Sequence, residues 1–341
     1  MLKTLKELCA LPGVSSFEDS VRDYIRQHAQ EHADSVRVDA MGDLIVFKKG
    51  AKSAPNRLML AAHMDEVGLM IHTITDEGYL KFYAVGGIDR RVLLGKRVSV
   101  GSKEIPGVIG LKAFHLVGKK EAVAVPKFSD FYIDIGAENV AQAQELVSLG
   151  DAAVFSGDVL EFGDGMLKAK ALDDRIGCAV MMKLLEKDLP IDCTFVFTVQ
   201  EEVGTRGAFG AAFSVKPEIA LVLEGTTAAD LPSMDAHKRV CVPGKGPVVP
   251  FMDGAAIYDR RLFELLRELA RKEEIPWQTK HFVAGGTDAG TIQRSREGVR
   301  VAGISAAVRY LHTPSSVVSI QDCIDMLRLS EAFIDVVSQF E

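Results

Sequence analysis

Two histidines and several carboxylates stand where predicted strands or helices begin or end. His63 follows the apolar run 58–62, and Asp65 comes two residues later. Two adjacent glutamates, Glu201 and Glu202, lie at the end of another β-prone run. Imidazole nitrogens and carboxylate oxygens are good ligands for zinc, cobalt or manganese. These residue types predict a site for divalent metal ions. The other candidate ligands are Asp173, Glu224 and His312.

A pair of metal ions needs carboxylates in different roles. One carboxylate must bridge the two ions, which then lie about 3.5–4 Å apart and lower the pKa of a bound water toward ~7. Another must stay off the metal, take the proton of that water and pass it to the leaving amine. Glu201 and Glu202 suit this division, because successive side chains of an extended backbone point in opposite directions.

Each candidate also has an ordinary structural explanation. An isolated histidine is more often structural than a ligand, and Asp173-Asp174 could cap the helix predicted after them. The adjacent glutamates could be a solvated strand end, and Asp65 could be a turn residue, although a carboxylate beside a ligand histidine commonly orients the ring. Glu224 follows four apolar residues and is harder to explain structurally. The combination, rather than any single residue, predicts the metal pair.

The elements that would position these residues alternate between strand and helix. Strands that alternate with helices imply a sheet covered on both faces, and ligand sites in open α/β sheets form at the carboxyl ends of strands. We therefore predict an α/β fold with a three-layer α/β/α domain and a mixed sheet. The predicted strands are 58–62, 193–200 and 219–223, and the predicted helices are 174–186, 205–213, 258–272 and 320–340, with a further helix start near Ser16.

The pattern differs between residues 68 and 163. Short β-prone runs are separated by glycines, with one helical stretch at 137–149. Short strands at this spacing suggest a compact β domain. We predict a catalytic domain made of residues 1–67 and 164–341, interrupted by a smaller β-rich, barrel-like domain of residues 68–163. The β-prone runs are 69–73, 80–85, 97–100, 108–111 and 131–135.

Composition excludes several classes of protein. A formal net charge of −7 over 341 residues argues against a nucleic-acid partner, which requires concentrated Lys and Arg. No apolar run approaches the ~20 residues that cross a bilayer, so no membrane partner is expected. The five cysteines are widely spaced and form no CxxC pair, which indicates a reducing compartment. The start of the chain does not read as a signal peptide. We predict a cytoplasmic protein.

Five segments together closely resemble the tetrahedral aminopeptidases, a family that also carries the names glutamyl aminopeptidase and endoglucanase M. The resemblance covers essentially the whole chain, in the same order. It implies that one metal is bound by His63, Asp173 and Glu224, and the other by Asp173, Glu202 and His312. Asp173 would thus bridge the ions. The segments are AHMDEVG (62–68), ALDDR (171–175), QEEVG (200–204), EGT (224–226) and RYLH (309–312).

The same resemblance implies further roles. Glu201 would be the general base, Asp65 would support the metal-binding histidine, and the Asp173-Asp174 peptide bond would be cis. Many members carry Asp where this chain has Glu224. Because both are carboxylates, we expect ligation to persist, with an altered metal preference or affinity.

The resemblance implies an aminopeptidase that removes N-terminal residues from short peptides, with a metal-bridging hydroxide as the nucleophile. Zinc is the first expectation for its two ions, with cobalt or manganese as alternatives. The inserted domain would mediate dimerisation, and dimers would assemble into tetrahedral dodecamers. The same metal pair also suits a carboxypeptidase or a deacylase, and a non-catalytic scaffold is the remaining alternative. A glycosidase is disfavoured, because metal ligation would occupy its carboxylates.

The glycine-rich stretch 285–290 has two explanations. As a phosphate-binding loop it is weak, because no Gly-Lys-Ser/Thr follows, and a tight turn into a helix explains it simply. The family resemblance favours a wall of the substrate pocket. In that case Gly286 would line the pocket, and Asp288 would receive the positively charged N-terminus of the peptide.

Overall fold

The computed structural model describes residues 1–53, 56–118 and 123–339. No helix in these ranges is both long and apolar enough to cross a membrane. In chain order the strands are β1 (Ser35–Val38), β2 (Leu44–Lys48), β3 (Leu58–His63), β4 (Gly68–Ile74), β5 (Leu80–Val85), β6 (Arg97–Val100), β7 (Ile105–Gly110), β8 (Tyr132–Asp134), β9 (Ala152–Phe155), β10 (Leu160–Phe162), β11 (Met166–Ala169), β12 (Cys193–Thr198), β13 (Ile219–Thr227), β14 (Arg300–Arg309) and β15 (Ser316–Ser319). The helices are α1 (Leu2–Ala10), α2 (Asp19–His32), α3 (Val140–Leu146), α4 (Leu172–Leu185), α5 (Arg206–Val215), α6 (Arg260–Lys272), α7 (Ala289–Gln293) and α8 (Ile320–Val337).

A nine-stranded sheet forms the larger part of the molecule, in the order β1-β2-β12-β3-β13-β14-β15-β11-β10. Its central strands β12, β3, β13 and β14 are parallel, and the strands on either side pair antiparallel. The predicted mixed sheet is therefore confirmed. The sequence reading did not predict β14, in which Gly303 and Ser305 interrupt an apolar run.

Alternating side chains of β3 supply both faces of this sheet. Leu58 and Leu60 pack in a large core with α1, α2, α4, α6 and α8, whereas Met59 and Ala61 pack on the opposite face with α5 and α7. All six residues of β3 are buried, as expected for a central parallel strand covered on both sides. The two helical layers confirm the predicted three-layer α/β/α arrangement.

The strands β4 to β9 form a separate closed barrel, in the order β4-β5-β8-β7-β6-β9. Its interior has its own apolar cluster, which includes Leu69, Phe82 and Ile133. The barrel follows His63 in the chain after four residues, and its last strand ends at Phe155. The hairpin of β10 and β11 belongs to the large sheet, so the predicted domain boundary at residue 163 falls inside this hairpin.

Several predicted element ends differ from the observed ones. Helix α2 begins at Asp19 with Glu18 as its N-cap, later than the predicted start near Ser16. Helix α4 begins at Leu172, but Asp173 and Asp174 in its first turn have non-helical backbone angles, and the peptide bond between them is cis. Helix α8 ends at Val337. Its predicted end at residue 340 lies outside the described residues.

Candidate metal centre

Neighbouring parallel strands bring the first two candidate ligands together. His63 is the last residue of β3 and pairs with Thr198 of β12. On its other side β3 pairs with β13, where Ala61 lies opposite Val222. Two residues further along the same register, Glu224 comes beside His63. The distance from His63 Nε2 to Glu224 Oε1 is 3.1 Å.

Asp173 contacts both histidines through different oxygens. Its Oδ1 lies 3.3 Å from His63 Nε2, and its Oδ2 lies 3.5 Å from His312 Nε2. His312 Nε2 is also 3.2 Å from Glu202 Oε1. Two groups of possible ligands therefore share Asp173: one with His63 and Glu224, the other with Glu202 and His312. Within each group the ligand atoms lie within 4.8 Å of one another.

Hydrogen bonds orient both imidazole rings. His63 Nδ1 is 3.0 Å from the backbone oxygen of Asp65, and His312 Nδ1 is 2.7 Å from the backbone oxygen of Gly87. A carbonyl oxygen only accepts hydrogen bonds, so each Nδ1 must donate its proton. In each neutral ring the lone pair is then on Nε2, which points into the cluster. This is the ring state that binds a metal.

The carboxylate of Asp65 lies next to the His63 ring, on the side of Nδ1. It is fully buried, and its Oδ1 lies 3.4 Å from His63 Nδ1. Ser15 Oγ donates a hydrogen bond of 2.6 Å to Asp65 Oδ2. The backbone amides of Glu201 and Glu202 also donate to this carboxylate, at 2.9 and 3.2 Å. Asp65 thus connects the His63 ring to the segment that carries both glutamates.

A loop of the barrel reaches the His312 side. Besides the Gly87 carbonyl, this loop contains Gly86, whose backbone has a φ of +80°. A Cβ added there would lie 2.7 Å from Cγ1 of Val67 and 3.3 Å from Cβ of Glu202. Only glycine fits this close approach at a left-handed backbone conformation. The barrel therefore touches two of the candidate ligands directly.

Burial and crowded negative charge perturb the carboxyl groups. Burial raises the pKa of Glu224 well above its ordinary value, and His63 opposes the shift. Burial likewise raises the pKa of Glu201 well above its ordinary value, with contributions from Asp288 and Glu202 against the opposing His63 ring. Asp173 behaves differently: burial would raise its pKa, but hydrogen bonds from the two histidine rings lower it.

The imidazoles respond to the same negative charge. Burial would lower the pKa of His312, but Asp173 and Glu202 raise it to about 11. Burial would also lower the pKa of His63, and Glu224 and Asp173 raise it well above its ordinary value. The cluster therefore holds protons strongly, because carboxylates crowd together away from water. A bound cation would neutralise the same negative charge.

The residues fit a pair of divalent ions. The donor set combines imidazole nitrogen and carboxylate oxygen, which zinc, cobalt and manganese accept. Glu202 Oε1 is buried and, despite its proximity to His312, has no partner with hydrogen-bond geometry. An unsatisfied buried carboxylate oxygen is costly unless a cation balances it. Glu201 lies outside both groups of ligands, with Oε2 4.0 Å from His63 Nε2.

One of the two predicted substrate-binding residues, Asp288, lies beside this cluster, because its partner Thr198 pairs with His63. Asp288 is buried, and its Oδ2 accepts a hydrogen bond of 2.6 Å from Thr198 Oγ1. Its Oδ1 has no hydrogen-bond partner. At Gly286 an added Cβ would lie 2.9 Å from Cβ of Ala255, so this glycine packs closely against the preceding loop. That Asp288 receives the peptide amino terminus and that Gly286 lines the pocket stay predictions.

The sequence reading missed three residues that shape the site. Ser15 donates to Asp65, as described above. Glu18 accepts a hydrogen bond of 3.2 Å from the Gln200 amide, and Asp43 accepts one of 2.9 Å from the Val199 amide. In the sequence, Glu18 lies at a helix start and Asp43 follows a glycine, where acids are common for local reasons. Only the tertiary structure distinguishes them.

The mixed α/β sheet gathers two imidazoles and several carboxylates beside the carboxyl ends of its parallel strands, an arrangement that suits a metal-dependent hydrolase. Comparison with known families gives the particular group. The chain belongs to the M42 glutamyl aminopeptidase family, whose model matches residues 42–329. This membership confirms the predicted resemblance. The chain is a peptide-hydrolysing enzyme.

Relatives support this assignment over the full length. A putative aminopeptidase of Acetivibrio thermocellus is 39% identical and covers 96% of this chain and 97% of its own length. An aminopeptidase structure from the archaeon Desulfurococcus kamchatkensis has a TM-score of 0.93 at 36% identity, with 98% of this chain and 94% of that chain covered. A TET1 peptidase of Pyrococcus horikoshii, which assembles into a tetrahedron or a large octahedral shell, has a TM-score of 0.86 at 34% identity and 98% coverage of both chains.

Proposed function

We propose that this enzyme is a dinuclear-metal aminopeptidase that hydrolyses the first peptide bond of short peptides with a free N-terminus. The observation that carries this proposal is the shared position of Asp173. Its two oxygens face two different histidines, as a bridging carboxylate must. His63 and Glu224 would complete one ion, and Glu202 and His312 the other. Zinc is our first expectation, with cobalt or manganese as alternatives.

The protein's own residues divide the chemical work. When bound, the two ions would polarise the scissile carbonyl and supply hydroxide at neutral pH. Glu201, outside both groups of ligands, would take the proton of the attacking water and pass it to the leaving amine. Asp65 would hold the His63 ring and keep its Nε2 lone pair available.

Asp288 and the cysteines support two further parts of the proposal, the binding of the substrate's amino terminus and the cellular compartment. The buried Asp288, with one unpaired oxygen, offers negative charge for the peptide ammonium group. All five cysteines are free and buried, which supports the expectation of a reducing, cytoplasmic compartment.

We further propose that the barrel, predicted as the inserted domain of residues 68–163, forms the dimer contact. Its outer surface exposes large apolar side chains, among them Tyr83, Leu94 and Val108. Such exposed groups favour association. By analogy with the Pyrococcus horikoshii peptidase, dimers would assemble further into a tetrahedral dodecamer. Light scattering of the purified protein tests this, and a monomer at micromolar concentration would contradict it.

Substitution Glu201→Gln tests the assigned chemistry. Because the amide cannot take the water's proton, we expect kcat to fall by about 10²–10⁴-fold. Two metal ions per subunit should remain, since this side chain is not a ligand. Elemental analysis and an aminoacyl-chromophore assay measure both quantities. The exposed Glu297→Gln serves as the matched control. Undiminished activity of Glu201→Gln would refute the proposed mechanism.

A pair of peptides separates the alternatives. The enzyme should cleave a short peptide with a free amino terminus and leave its acetylated form intact. Preferential cleavage at the carboxyl end would instead indicate a carboxypeptidase, and removal of the acetyl group a deacylase. A panel of Leu, Glu, Lys, Asp and Ala substrates, run with zinc, cobalt and manganese after chelation, determines the preferred residue and metal.

A further inference from the structure

Four consecutive backbone amides at the end of β12 donate to buried carboxyl groups from three different parts of the chain. Val199 N–H donates to Asp43 Oδ1 at 2.9 Å, and Gln200 N–H donates to Glu18 Oε1 at 3.2 Å. The next two amides donate to the two oxygens of Asp65, at 2.9 and 3.2 Å. We call residues 199–202 the anchored segment. It carries both Glu201 and Glu202.

Three carbonyl groups of this segment also accept backbone hydrogen bonds. The oxygen of Glu201 accepts hydrogen bonds of 2.9 Å from two amides in the following turn. The oxygens of Gln200 and Val199 accept from Arg206 and Gly207, at the start of α5, at 3.2 and 3.1 Å. Every backbone polar group of residues 199–201 thus has a partner. This bonding fixes the segment even though Gln200 has a left-handed φ of +55°, which costs a non-glycine residue energy.

The anchoring carboxyl groups are themselves tightly placed. Asp43 is fully buried, and Glu18 has only 4% of its surface exposed. A Cβ added at Gly207 would lie 2.1 Å from Asp43 Oδ1, so the absence of a side chain there leaves the room that this carboxyl group occupies. Glu18 Oε1 also accepts a hydrogen bond of 2.8 Å from the Ser16 amide. The Ser16 amide thus holds Glu18 in position independently of the metal cluster.

We propose that Glu18 and Asp43 are positioning residues for Glu201 and act through the anchored segment. The inference rests on the proposed role of Glu201 as the general base. Neither carboxyl group belongs to the two ligand groups, so neither would contact an ion directly. Their function is to fix the backbone from which the base projects. A displacement of about 1 Å at the base can cost ~10²-fold in rate.

The first test compares removal of each acceptor with its conservative replacement. Glu18→Ala and Asp43→Ala leave an amide without its acceptor, and we expect kcat at saturating metal to fall by about 10–100-fold with KM unchanged. The ion on the His312 side should also bind more weakly, because the segment carries Glu202. Glu18→Gln and Asp43→Asn keep an acceptor oxygen in the same shape, so most of kcat should return. Unchanged kcat in both alanine variants would overturn the proposal.

A matched control separates positioning from general stability. Asp322 is also buried and accepts two backbone hydrogen bonds, from Gly244 at 2.7 Å and Gly246 at 2.9 Å, away from the anchored segment. Asp322→Ala should lower the melting temperature but preserve kcat per folded, metal-loaded subunit. An equal loss of kcat in this variant would show that the Glu18 and Asp43 effects are only structural.

A double-mutant cycle tests whether the effect passes through the base. In a Glu201→Asp background the carboxylate is already displaced, so Glu18→Ala should reduce kcat further by much less than it does in the native enzyme. Losses that simply multiply would contradict the proposal. The two levels of inference fail separately. Full activity of Glu201→Gln removes the proposed mechanism, whereas an inactive Glu201→Gln with unchanged Glu18→Ala and Asp43→Ala removes only this inference.

Discussion

The two halves of the candidate metal centre are held by different kinds of structure. His63 ends a central strand of the sheet, and 1% of its side chain is exposed. His312 lies in the loop after β14, has a left-handed backbone with a φ of +57°, and leaves 27% of its side chain exposed. The ring of His63 is oriented by Asp65 in the next few residues, whereas that of His312 is oriented by Gly87 of the barrel.

Two histidines with the same proposed role as metal ligands are therefore held in place by different parts of the fold. The His63 half follows from strand register, which is specified by the core on both faces of the sheet. The His312 half depends on a loop and on the contact between the nine-stranded sheet and the closed barrel. We therefore expect perturbations of the barrel to affect mainly the His312 half, and perturbations of the core to affect the His63 half.

The largest effect should come from the residue that both halves share. Asp173→Ala removes the negative charge that both groups share and the one ligand oxygen that each group takes from this residue. We expect neither ion to be retained after dialysis, with activity lost by more than the ~100-fold typical of residues that only support a ligand. Elemental analysis and the peptide assay measure this. If one ion stayed bound at full occupancy, the two groups would not share this residue as described.

The two histidines should differ in their effect on stability. With metal removed by chelation, His63→Ala leaves the Asp65 carbonyl and the Glu224 carboxyl group buried without a partner, so the free energy of unfolding should fall by about 1–3 kcal/mol. His312→Ala, at the more exposed position, should change it by only about 0.5 kcal/mol. Urea denaturation compares them. Equal losses would indicate that the two halves are supported alike.

The most selective effect should come from the barrel loop. Gly86→Ala forces a left-handed alanine against Val67 and Glu202, a strain of about 1–3 kcal/mol, and should weaken only the ion on the His312 side. Gly87→Ala is the matched control, because its Cβ would meet the His312 ring at an ordinary 3.5 Å. Metal titration by calorimetry distinguishes the two sites. Loss of the ion on the His63 side in Gly86→Ala would contradict the separation of the halves.

The sequence was sufficient where local pattern specifies structure. The apolar run before His63 and the apolar residues before Glu224 predict buried strands, and parallel strands bring their ends together. The residues around His312 in the sequence do not indicate that it adopts a left-handed conformation or that its ring donates a hydrogen bond to a barrel carbonyl. In the sequence, Glu18 and Asp43 look like an ordinary helix-start acid and an ordinary turn acid. They become hydrogen-bond acceptors for residues 199 and 200 only when distant segments pack together. The family resemblance, rather than periodicity, supplied the pairing of ligands into two groups.

The bond from His312 to the barrel carbonyl has a thermodynamic consequence. The orientation of the His312 ring is coupled to the position of the barrel through this hydrogen bond. The free energy of orienting the ring therefore depends on where the barrel lies. Linkage is reciprocal: a restraint that holds the barrel in this position would strengthen the binding of the proposed ion on the His312 side, and that ion would strengthen the restraint by the same factor. Subunit association through the barrel and metal occupancy would then rise together.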